Sequence, residues 1–508
     1  MEVVSQALEN LATNNTVQIL PTVLGFLIIL YTVYWISISI YSGKINFEKA
    51  EIITLVIILA SSFFLNIGQP YMTGAGGGEE YNYVLIGEEI SESGRFTVSR
   101  SDHNDLYLKP YIIYPVLVSI PSFFLDTTRN LGVMVNTVAA IFLLFFLYLS
   151  IRKISNKKAA LAATVLTIFN PLFVHMSRTP ESMITAGTYF FLTVFTLQGF
   201  LKNEDRFWMR GLTVSVLGMI FSRTGMFIFV PLIIMLIIIK KVEMKRFLTE
   251  SLIFVLFGSV PFLMNLRFFL NMDRAFGGGT LIMNIQNFFD FLHQKPGYIT
   301  LLVIAFPSLL IAIKNRKTIF LYLAGLTHFL FFLTYRHASI LNHPKFYMLS
   351  FVIFSCVAGI GFSEIGNKLK PKNTYIPVLV GVVLVSASTG LMLEQLNRDR
   401  YYTPAKRTLD ISTSLHPDCV IIPRDVRHAR LAGFQNSIDP WFFTPEELGN
   451  PDLLKEETGS NCIIYYRNMS ETPEHMELFE KSFEKELITS YEHEGSEAQA
   501  FHIDLNNN

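Results

Sequence analysis

The chain consists largely of apolar runs that are long enough, or nearly so, to cross a lipid bilayer. A helix needs about 20 such residues to span the hydrocarbon core. We count about twelve runs of this kind: residues 19–41, 50–67, 130–151, 159–176, 182–201, 209–222, 225–240, 247–268, 298–313, 318–335, 347–365 and 375–394. With 51% hydrophobic residues, the chain is too apolar to bury all of these side chains in a water-soluble core. The sequence therefore predicts an α-helical polytopic protein of the cell membrane.

The positions of the basic residues predict which connections face the cytoplasm. Lys and Arg are enriched in short cytoplasmic loops, and in this chain they cluster at every second connection. The clusters are Arg152-Lys153, Lys202 with Arg206 and Arg210, Lys240-Lys241, Lys314 with Arg316, and Lys368 with Lys370. The remaining connections are expected outside, including a long first external loop, residues 68–129. The formal net charge of zero gives no indication of nucleic-acid binding.

The C-terminal region differs in kind from the rest. Residues 397–508 contain three short runs typical of strands, CVIIP, NCIIYY and AFHIDL, separated by polar segments. We therefore predict a small extracytoplasmic α/β domain here, following a transmembrane domain of residues 1–396. Cys419 and Cys462 both lie in this region and could form a disulfide if it faces an oxidising compartment, but the sequence leaves their pairing open.

The first external loop contains an acidic stretch, GGGEEYNYVLIGEEI. Glu79 and Glu80 follow a glycine run that permits an irregular backbone, and we expect this pair near the mouth of a cavity, because carboxylates beside a membrane are costly unless solvated or paired. The residues after them have helical spacing, with Tyr83, Ile86 and Ile90 on one face. An alternative role for Glu79 is to interact favourably with the helix dipole at the N-terminus of that helix.

Several motifs, taken in order, resemble those of one enzyme family. Three features resemble the first outer loop of the GT-C membrane glycosyltransferases. They are the acidic pair Glu79-Glu80 with Tyr83 four residues after Glu79, the later SGRF, and the KP-x-x-x-YP pattern within LKPYIIYP. Within these enzymes the similarity is to the protein O-mannosyltransferase and aminoarabinose-transferase group. SRTPESMITAGTYFFLTVF and LNHPKFYML resemble two later stretches of that group. The resemblance covers residues from about 60 to 365.

The resemblance implies a fold and a reaction. The fold is GT-C-like, and the enzyme is an inverting glycosyltransferase that takes a hexose or pentose from a polyprenyl-phosphate or dolichyl-phosphate donor. The acceptor is a glycan, a lipid or a protein at the outer face of the membrane, for example in a prokaryotic cell envelope. Such a displacement needs a carboxylate to accept the acceptor's proton and cations to hold the departing phosphate.

The resemblance also assigns roles to individual residues. Glu79 corresponds to the catalytic acidic residue, which is usually Asp in the family, and Glu80 to the Glu after it, so either carboxylate is a candidate base. Lys109 corresponds to the Lys of the Lys-Pro motif and is expected to bind the donor phosphate as a point charge. The other expected phosphate ligands are Arg178, Arg336 and Lys345, and further substrate contacts are expected from Tyr83, Glu181 and His343.

Three basic residues are expected in an external loop, although Lys and Arg are usually enriched in cytoplasmic loops: Arg336, His343 and Lys345. This placement favours phosphate binding, and the alternative is anchoring to lipid headgroups. Lys345 stands where the family has Arg, so bidentate contact with a phosphate is lost. For Glu181, which follows Pro180, the alternative is an ordinary place in the first turn of a helix.

No cofactor is assigned, although a divalent metal is possible. Some relatives bind a metal through a Glu before the Lys of the Lys-Pro motif, but Leu108 stands at that position. Asp102, His103 and Asp105 offer hard or borderline ligands instead, and a solvated turn is the favoured interpretation of these three. We therefore predict no metal site.

Three other functions would each require particular features in the sequence. An oligosaccharyltransferase should carry adjacent tryptophans before Asp, whereas Trp35, Trp208 and Trp441 are far apart. A lipid-linked-sugar flippase or transporter should show charges at mid-membrane depth and an internal twofold repeat, and neither is visible in the sequence. A non-enzymatic assembly factor would act through the C-terminal domain.

Overall fold

The structure is a computed structural model. It describes residues 15–66, 79–96, 111–125, 129–203, 205–239, 252, 278–294, 299–335, 345–368, 402–423, 449–468, 479, 481–493 and 496–506. The helices are α1 (Asn15–Tyr41), α2 (Lys49–Asn66), α3 (Glu79–Ser93), α4 (Ile113–Ser122), α5 (Arg129–Ile154), α6 (Lys157–Ile168), α7 (Pro171–Ser177), α8 (Met183–Asn203), α9 (Arg206–Ser222), α10 (Phe229–Ile239), α11 (Gly278–Gln294), α12 (Thr300–Lys314), α13 (Arg316–Thr334), α14 (Lys345–Lys368), α15 (Tyr402–Leu415) and α16 (Pro451–Thr458), with a 3₁₀ turn at Thr224–Ile228. The strands are β1 (Val420–Pro423), β2 (Cys462–Asn468), β3 (Glu486–His493) and β4 (Ser496–Asp504).

Helices α1 to α14 share one hydrophobic core, to which each of them contributes buried side chains. Large apolar side chains also lie on the outer surface of the bundle, such as Leu30, Ile57 and Phe306. Contiguous apolar surface of this kind is rare on proteins surrounded by water and marks contact with a membrane. The prediction of a helical membrane protein is therefore confirmed.

Four of the described helical segments are long and apolar enough to cross a membrane: Ile19–Tyr41, Leu131–Ile154, Met183–Asn203 and Lys345–Ile365. Shorter apolar helices occupy several of the other predicted runs, including those in α10, α12 and α13. Most of the run at 247–268 and all of the run at 375–394 lie outside the described residues. The total of about twelve spans thus stays a prediction.

The run at 159–176, predicted as one span, is broken. Helices α6 and α7 meet at an angle of 65°. Pro171 lies in the first turn of α7, where its missing N–H costs nothing. The Asn170 side chain caps α7 by accepting from the backbone N–H of Leu172 at 3.0 Å and of Phe173 at 3.3 Å. The sequence Asn-Pro therefore ends one helix and starts the next, and directs the chain into the link before α8.

Helix α4 belongs to the core of the bundle. Its side chains Ile113, Tyr114, Val116 and Val118 are fully buried, and α4 packs against α1, α3, α5 and α9. The close approach of α3 to α4 depends on Gly87, where a Cβ would lie 2.6 Å from Val118 Cγ1 and 3.0 Å from the Pro115 carbonyl oxygen. The predicted apolar face of α3 is confirmed by the burial of Tyr83, Ile86 and Ile90.

The described C-terminal residues form a four-stranded sheet in the order β1-β2-β4-β3. Strands β1 and β2 are parallel, and the other pairs are antiparallel. The three predicted strands are confirmed, and β3 was missed because ELITSYEH is largely polar. A disulfide joins Cys419 to Cys462. One face of the sheet packs against α15, and the other is covered by Leu454, Phe479 and Phe483. The domain boundary at 396/397 lies outside the described residues and stays a prediction.

Candidate functional site

Three charged side chains meet where three helices begin or end. Glu181 lies just before α8, Arg223 just after α9, and Lys345 is the first residue of α14. Glu181 is completely buried, and Arg223 and Lys345 are each only 2% exposed. Arg223 Nη1 donates to Glu181 Oε1 in a close ion pair, and Lys345 Nζ lies 3.9 Å from Glu181 Oε2. We call these three residues the charged cluster.

Burial of this kind needs a physical reason. Removing an ion from water costs several kcal/mol, about as much as a good ion pair returns, so a buried cluster is weak evidence for stability alone. Arg carries five N–H donors and Lys three. The charged cluster therefore joins one carboxylate to two cations, and this net positive composition is the one expected of an anion-binding site.

Aromatic rings form part of the wall around Arg223. Its guanidinium carbon lies 4.9 Å from the ring centroid of Phe346 and 5.4 Å from that of Tyr111. Lys345 Nζ lies 5.8 Å from the centroid of Phe346. These distances are within the range of cation–π attraction, which strengthens when the cation is shielded from water. The rings thus attract the two cations to this position.

The link between α7 and α8 is shaped by Asn136 of α5. Its buried side-chain amide donates to three backbone carbonyls, those of Met176 at 3.1 Å, Glu181 at 2.9 Å and Thr179. Backbone carbonyls inside a protein need such partners, because an unpaired one costs free energy. Asn136 therefore holds the backbone that presents Glu181 to Arg223.

Replacing Asn136 with Ala is expected to lower the free energy of unfolding by about 1–3 kcal/mol, because three buried carbonyls each lose a hydrogen bond from its side chain. The measurement is thermal unfolding of the purified protein in detergent. The matched control is Asn203→Ala, at the exposed end of α8, which should change stability by less than about 0.5 kcal/mol. Equal effects of the two substitutions would contradict a supporting role for Asn136.

Helix α3 is connected to the charged cluster through tyrosines. The Tyr83 ring lies edge-on to that of Tyr111, with centroids 5.7 Å apart, and Tyr111 faces Arg223. Glu79 and Glu80 are the first two residues of α3. Glu79 precedes Tyr83 by four residues, which is about 6 Å along a helix axis. The acidic pair therefore begins the helix that packs beside the cluster, although its side chains are not among those described.

The structure brings together some of the predicted site residues. Glu181 and Lys345 meet in the charged cluster, and Arg178, 8% exposed, lies in the same link as Glu181. Tyr83 is buried, so its ring is placed to support the site from within the core. Several predicted residues lie outside the part of the chain that the structure describes: Lys109, Arg336 and His343, together with Asp102, His103 and Asp105.

Sequence reasoning missed Arg223. It treated Ser222-Arg223-Thr224 only as the boundary between two apolar runs. The available signal was an arginine between two apolar runs, since ionisable residues in such segments are rare and mark functional sites. His328 is a buried polar group: Nδ1 lies 2.8 Å from Ser350 Oγ, and the ring stacks on Phe229.

Among the described residues of α1 to α14, no group of three or more His, Cys, Asp or Glu side chains lies close enough together to hold a metal ion. Within these residues, the charged cluster contributes one carboxylate and two cations. What the cluster can do chemically is bind and stabilise a negatively charged group.

Comparison with solved structures identifies the fold. The chain aligns with ArnT from Cupriavidus metallidurans bound to undecaprenyl phosphate, with a TM-score of 0.58 and 12% identity, over 88% of this chain and 97% of ArnT. The apo state of the same ArnT gives a TM-score of 0.57 at the same identity and coverage. No protein-family model matches the sequence, and no curated protein matches it. The chain therefore has the GT-C fold, as the sequence motifs predicted.

Proposed function

We propose that this protein is a membrane glycosyltransferase that transfers a sugar from a polyprenyl-phosphate donor to a glycan, lipid or protein acceptor, with inversion at the anomeric carbon. The observation that carries the proposal is the charged cluster, Glu181, Arg223 and Lys345, which is buried in a GT-C fold beside the helix that starts with Glu79 and Glu80. A donor phosphate is the anion that the two basic residues would hold.

The helix directions support a reaction on the outer side of the membrane. Helices α8 and α9 are antiparallel neighbours, and their connection carries the basic residues Lys202 and Arg206. The positive-inside rule assigns that connection to the cytoplasm. Glu181 precedes α8 and Arg223 follows α9, so both lie at the opposite end of these helices. We infer that the charged cluster is at the outer end of the bundle.

In the proposed reaction, an acceptor oxygen attacks the anomeric carbon while the bond from that carbon to the phosphate oxygen breaks. The bonding electron pair stays on the phosphate, where charge develops. Arg223 and Lys345 are placed to stabilise that charge in a site with little water, where electrostatic interactions are stronger. Arg178 and the predicted ligands Lys109 and Arg336 would complete the phosphate site.

The proton of the acceptor hydroxyl must leave as the new bond forms. We assign this role to Glu79, with Glu80 as the neighbouring candidate, on the basis of the family motif and the position of both residues at the start of α3. Glu181 is already paired with Arg223, which suits it to orient the guanidinium rather than to accept a proton.

The same comparison supports a polyprenyl-phosphate carrier for the donor sugar. The ArnT structure that shares this fold is bound to undecaprenyl phosphate. A long isoprenoid on a phosphate matches a site that combines cations with a bundle surrounded by lipid.

One observation favours the flippase as a second candidate. Charged residues buried inside a helical bundle are also expected along a transport pathway. The charged cluster, however, lies at helix ends rather than at mid-span, so it fits phosphate binding at one surface better than passage across the membrane.

A transfer assay in vesicles, together with analysis of surface glycans, distinguishes the two functions. The purified protein is reconstituted into vesicles with a polyprenyl-phosphate-linked radiolabelled sugar and envelope extract from a deletion strain. We expect label to move from the lipid to an acceptor, and mass spectrometry of surface glycans from the deletion strain to show the loss of one sugar residue. Movement of intact donor between leaflets, without transfer, would favour the flippase and contradict our proposal.

A further inference from the structure

Two cysteines and two histidines lie together on one face of the C-terminal sheet. Cys419 directly precedes β1, and Cys462 is the first residue of the adjacent β2. His502 of β4 pairs with Ile464, whose side chain lies on the same face as Cys462 because both are on β2 two residues apart. His416 follows the end of α15, which packs on this face. All four side chains therefore converge at one corner of the sheet.

The ligand atoms of these residues are close to metal-binding distance. One ligand atom each from His416, Cys419 and His502 lie within 4.8 Å of one another, and the two imidazole centroids are 4.2 Å apart. Ligand atoms around a tetrahedral zinc ion, with bonds of about 2.0–2.3 Å, are about 3.3–3.8 Å apart. Contraction by roughly an ångström would satisfy that geometry. Both histidines are only half-buried, so an ion can reach them from solvent.

Cys462 supplies the fourth ligand atom. Its sulfur is bonded to that of Cys419, and the two Cα atoms are 4.9 Å apart. Reduction of the bond would leave two thiols side by side next to two imidazoles. Two cysteines and two histidines are a donor set that tetrahedral zinc prefers, and the β1–β2 pairing holds the cysteine backbones in place.

We propose that His416, Cys419, Cys462 and His502 form a zinc site that exists only when the disulfide is reduced. In the reducing step a dithiol donates two electrons and two protons, the sulfur–sulfur bond breaks, and the dithiol becomes a disulfide. Zinc then binds as the two thiols release two protons. The oxidised sulfurs carry no thiolate, so the disulfide and the zinc ion exclude each other.

The proposal gives the C-terminal region two locked states. The disulfide ties β1 to β2 under oxidising conditions, and zinc would tie the same strands, together with β4 and the end of α15, under reducing conditions. The alternative is a purely structural disulfide beside a stacked histidine pair. That alternative predicts no metal binding under either condition.

The test uses the full-length protein in detergent, either oxidised or reduced with dithiothreitol and then desalted under argon. Zinc sulfate is added, unbound metal is removed, and bound zinc is measured by atomic absorption. We expect one zinc per chain in the reduced protein and none in the oxidised protein. Cobalt should give a thiolate charge-transfer band only after reduction. Absence of stoichiometric zinc in a reduced protein that remains folded by circular dichroism would overturn the proposal.

Histidine variants keep the test independent of the disulfide. His416→Gln and His502→Gln leave both thiols in place. Loss of a residue that only supports a metal ligand weakens binding by about 10–100-fold, so loss of a ligand itself should weaken zinc binding by at least that factor. The matched controls are His293→Gln, at an exposed position of α11, and Cys356→Ser, at a buried position of α14, and both variants should bind zinc as the unmodified protein does. Unchanged zinc binding in both the His416→Gln and the His502→Gln protein would contradict the assigned ligands.

Discussion

Replacing Arg223 with Gln is expected to lower the free energy of unfolding by about 3–5 kcal/mol, because it leaves Glu181 buried without its main counter-charge. The same substitution should raise the KM for the lipid-linked sugar and lower kcat, because the guanidinium no longer donates hydrogen bonds to the phosphate as negative charge develops on it. One such donor contributes about 10²–10³-fold in enzymes that stabilise an anionic transition state. The measurements are thermal unfolding and transfer kinetics in detergent.

A double-mutant cycle separates the pair from its surroundings. Glu181→Gln alone should also destabilise, and the double variant should lose less than the sum of the two single losses, because each single change leaves an unpaired ion. The matched control is the exposed pair Lys44–Asp205, at 3.3 Å, whose side chains are 30% and 42% exposed. Lys44→Gln should cost about 1 kcal/mol or less. Additive losses for the buried pair would contradict a direct interaction.

Arg223→Lys distinguishes charge from geometry. A lysine retains the positive charge but not the planar fork that can hold two oxygens at once. We therefore expect most of the stability to return while donor KM stays raised. Full recovery of transfer would mean that Arg223 acts on the fold alone, and the phosphate role would then fall to Lys345 and Arg178.

Replacing Glu79 with Gln is expected to reduce the rate of sugar transfer by about 10²–10⁴-fold while donor binding remains close to normal, because Gln cannot accept the acceptor's proton. Glu80→Gln should have a smaller effect if Glu79 is the base. The measurement is transfer from a radiolabelled polyprenyl-phosphate sugar under single-turnover conditions, which reports the chemical step.

The control for this prediction is Glu92→Gln, an exposed carboxylate near the end of the same helix, which should transfer sugar at the normal rate. A Glu79→Gln protein that inserts correctly and transfers normally would exclude Glu79 as the base. Normal transfer by both the Glu79 and Glu80 variants would contradict the enzymatic proposal and favour transport.

Much of the fold was predictable because the signals are local. The apolar runs and the strand-like CVIIP and NCIIYY each predict an element from residues that are adjacent in sequence. The burial of Tyr83, Ile86 and Ile90 followed from helical spacing in the same way. The break at Asn170 was missed because its run is apolar on both sides, and an Asn-Pro signal was outweighed by the count of apolar residues.

Less of the candidate site could be predicted. The motifs pointed to Glu181 and Lys345 as separate substrate contacts, and Arg223 was not selected at all. The role of Arg223 depends on its contact with Glu181, 42 residues away in the sequence, and on its contact with the ring of Phe346 in another helix. Such contacts leave no periodic pattern, because charge pairing is set by where helix ends meet and not by spacing along one element.

The sequence by itself predicted a bundle of membrane helices followed by strands near the C-terminus, and it also predicted on which side of the membrane the motifs lie. Hydrophobicity, turn residues and the distribution of Lys and Arg act locally and are therefore readable in order along the chain. Only the tertiary structure decided that the ends of α8, α9 and α14 converge. Their packing buries Glu181, Arg223 and Lys345 together, and in a medium of low dielectric constant ions that are buried together must interact strongly.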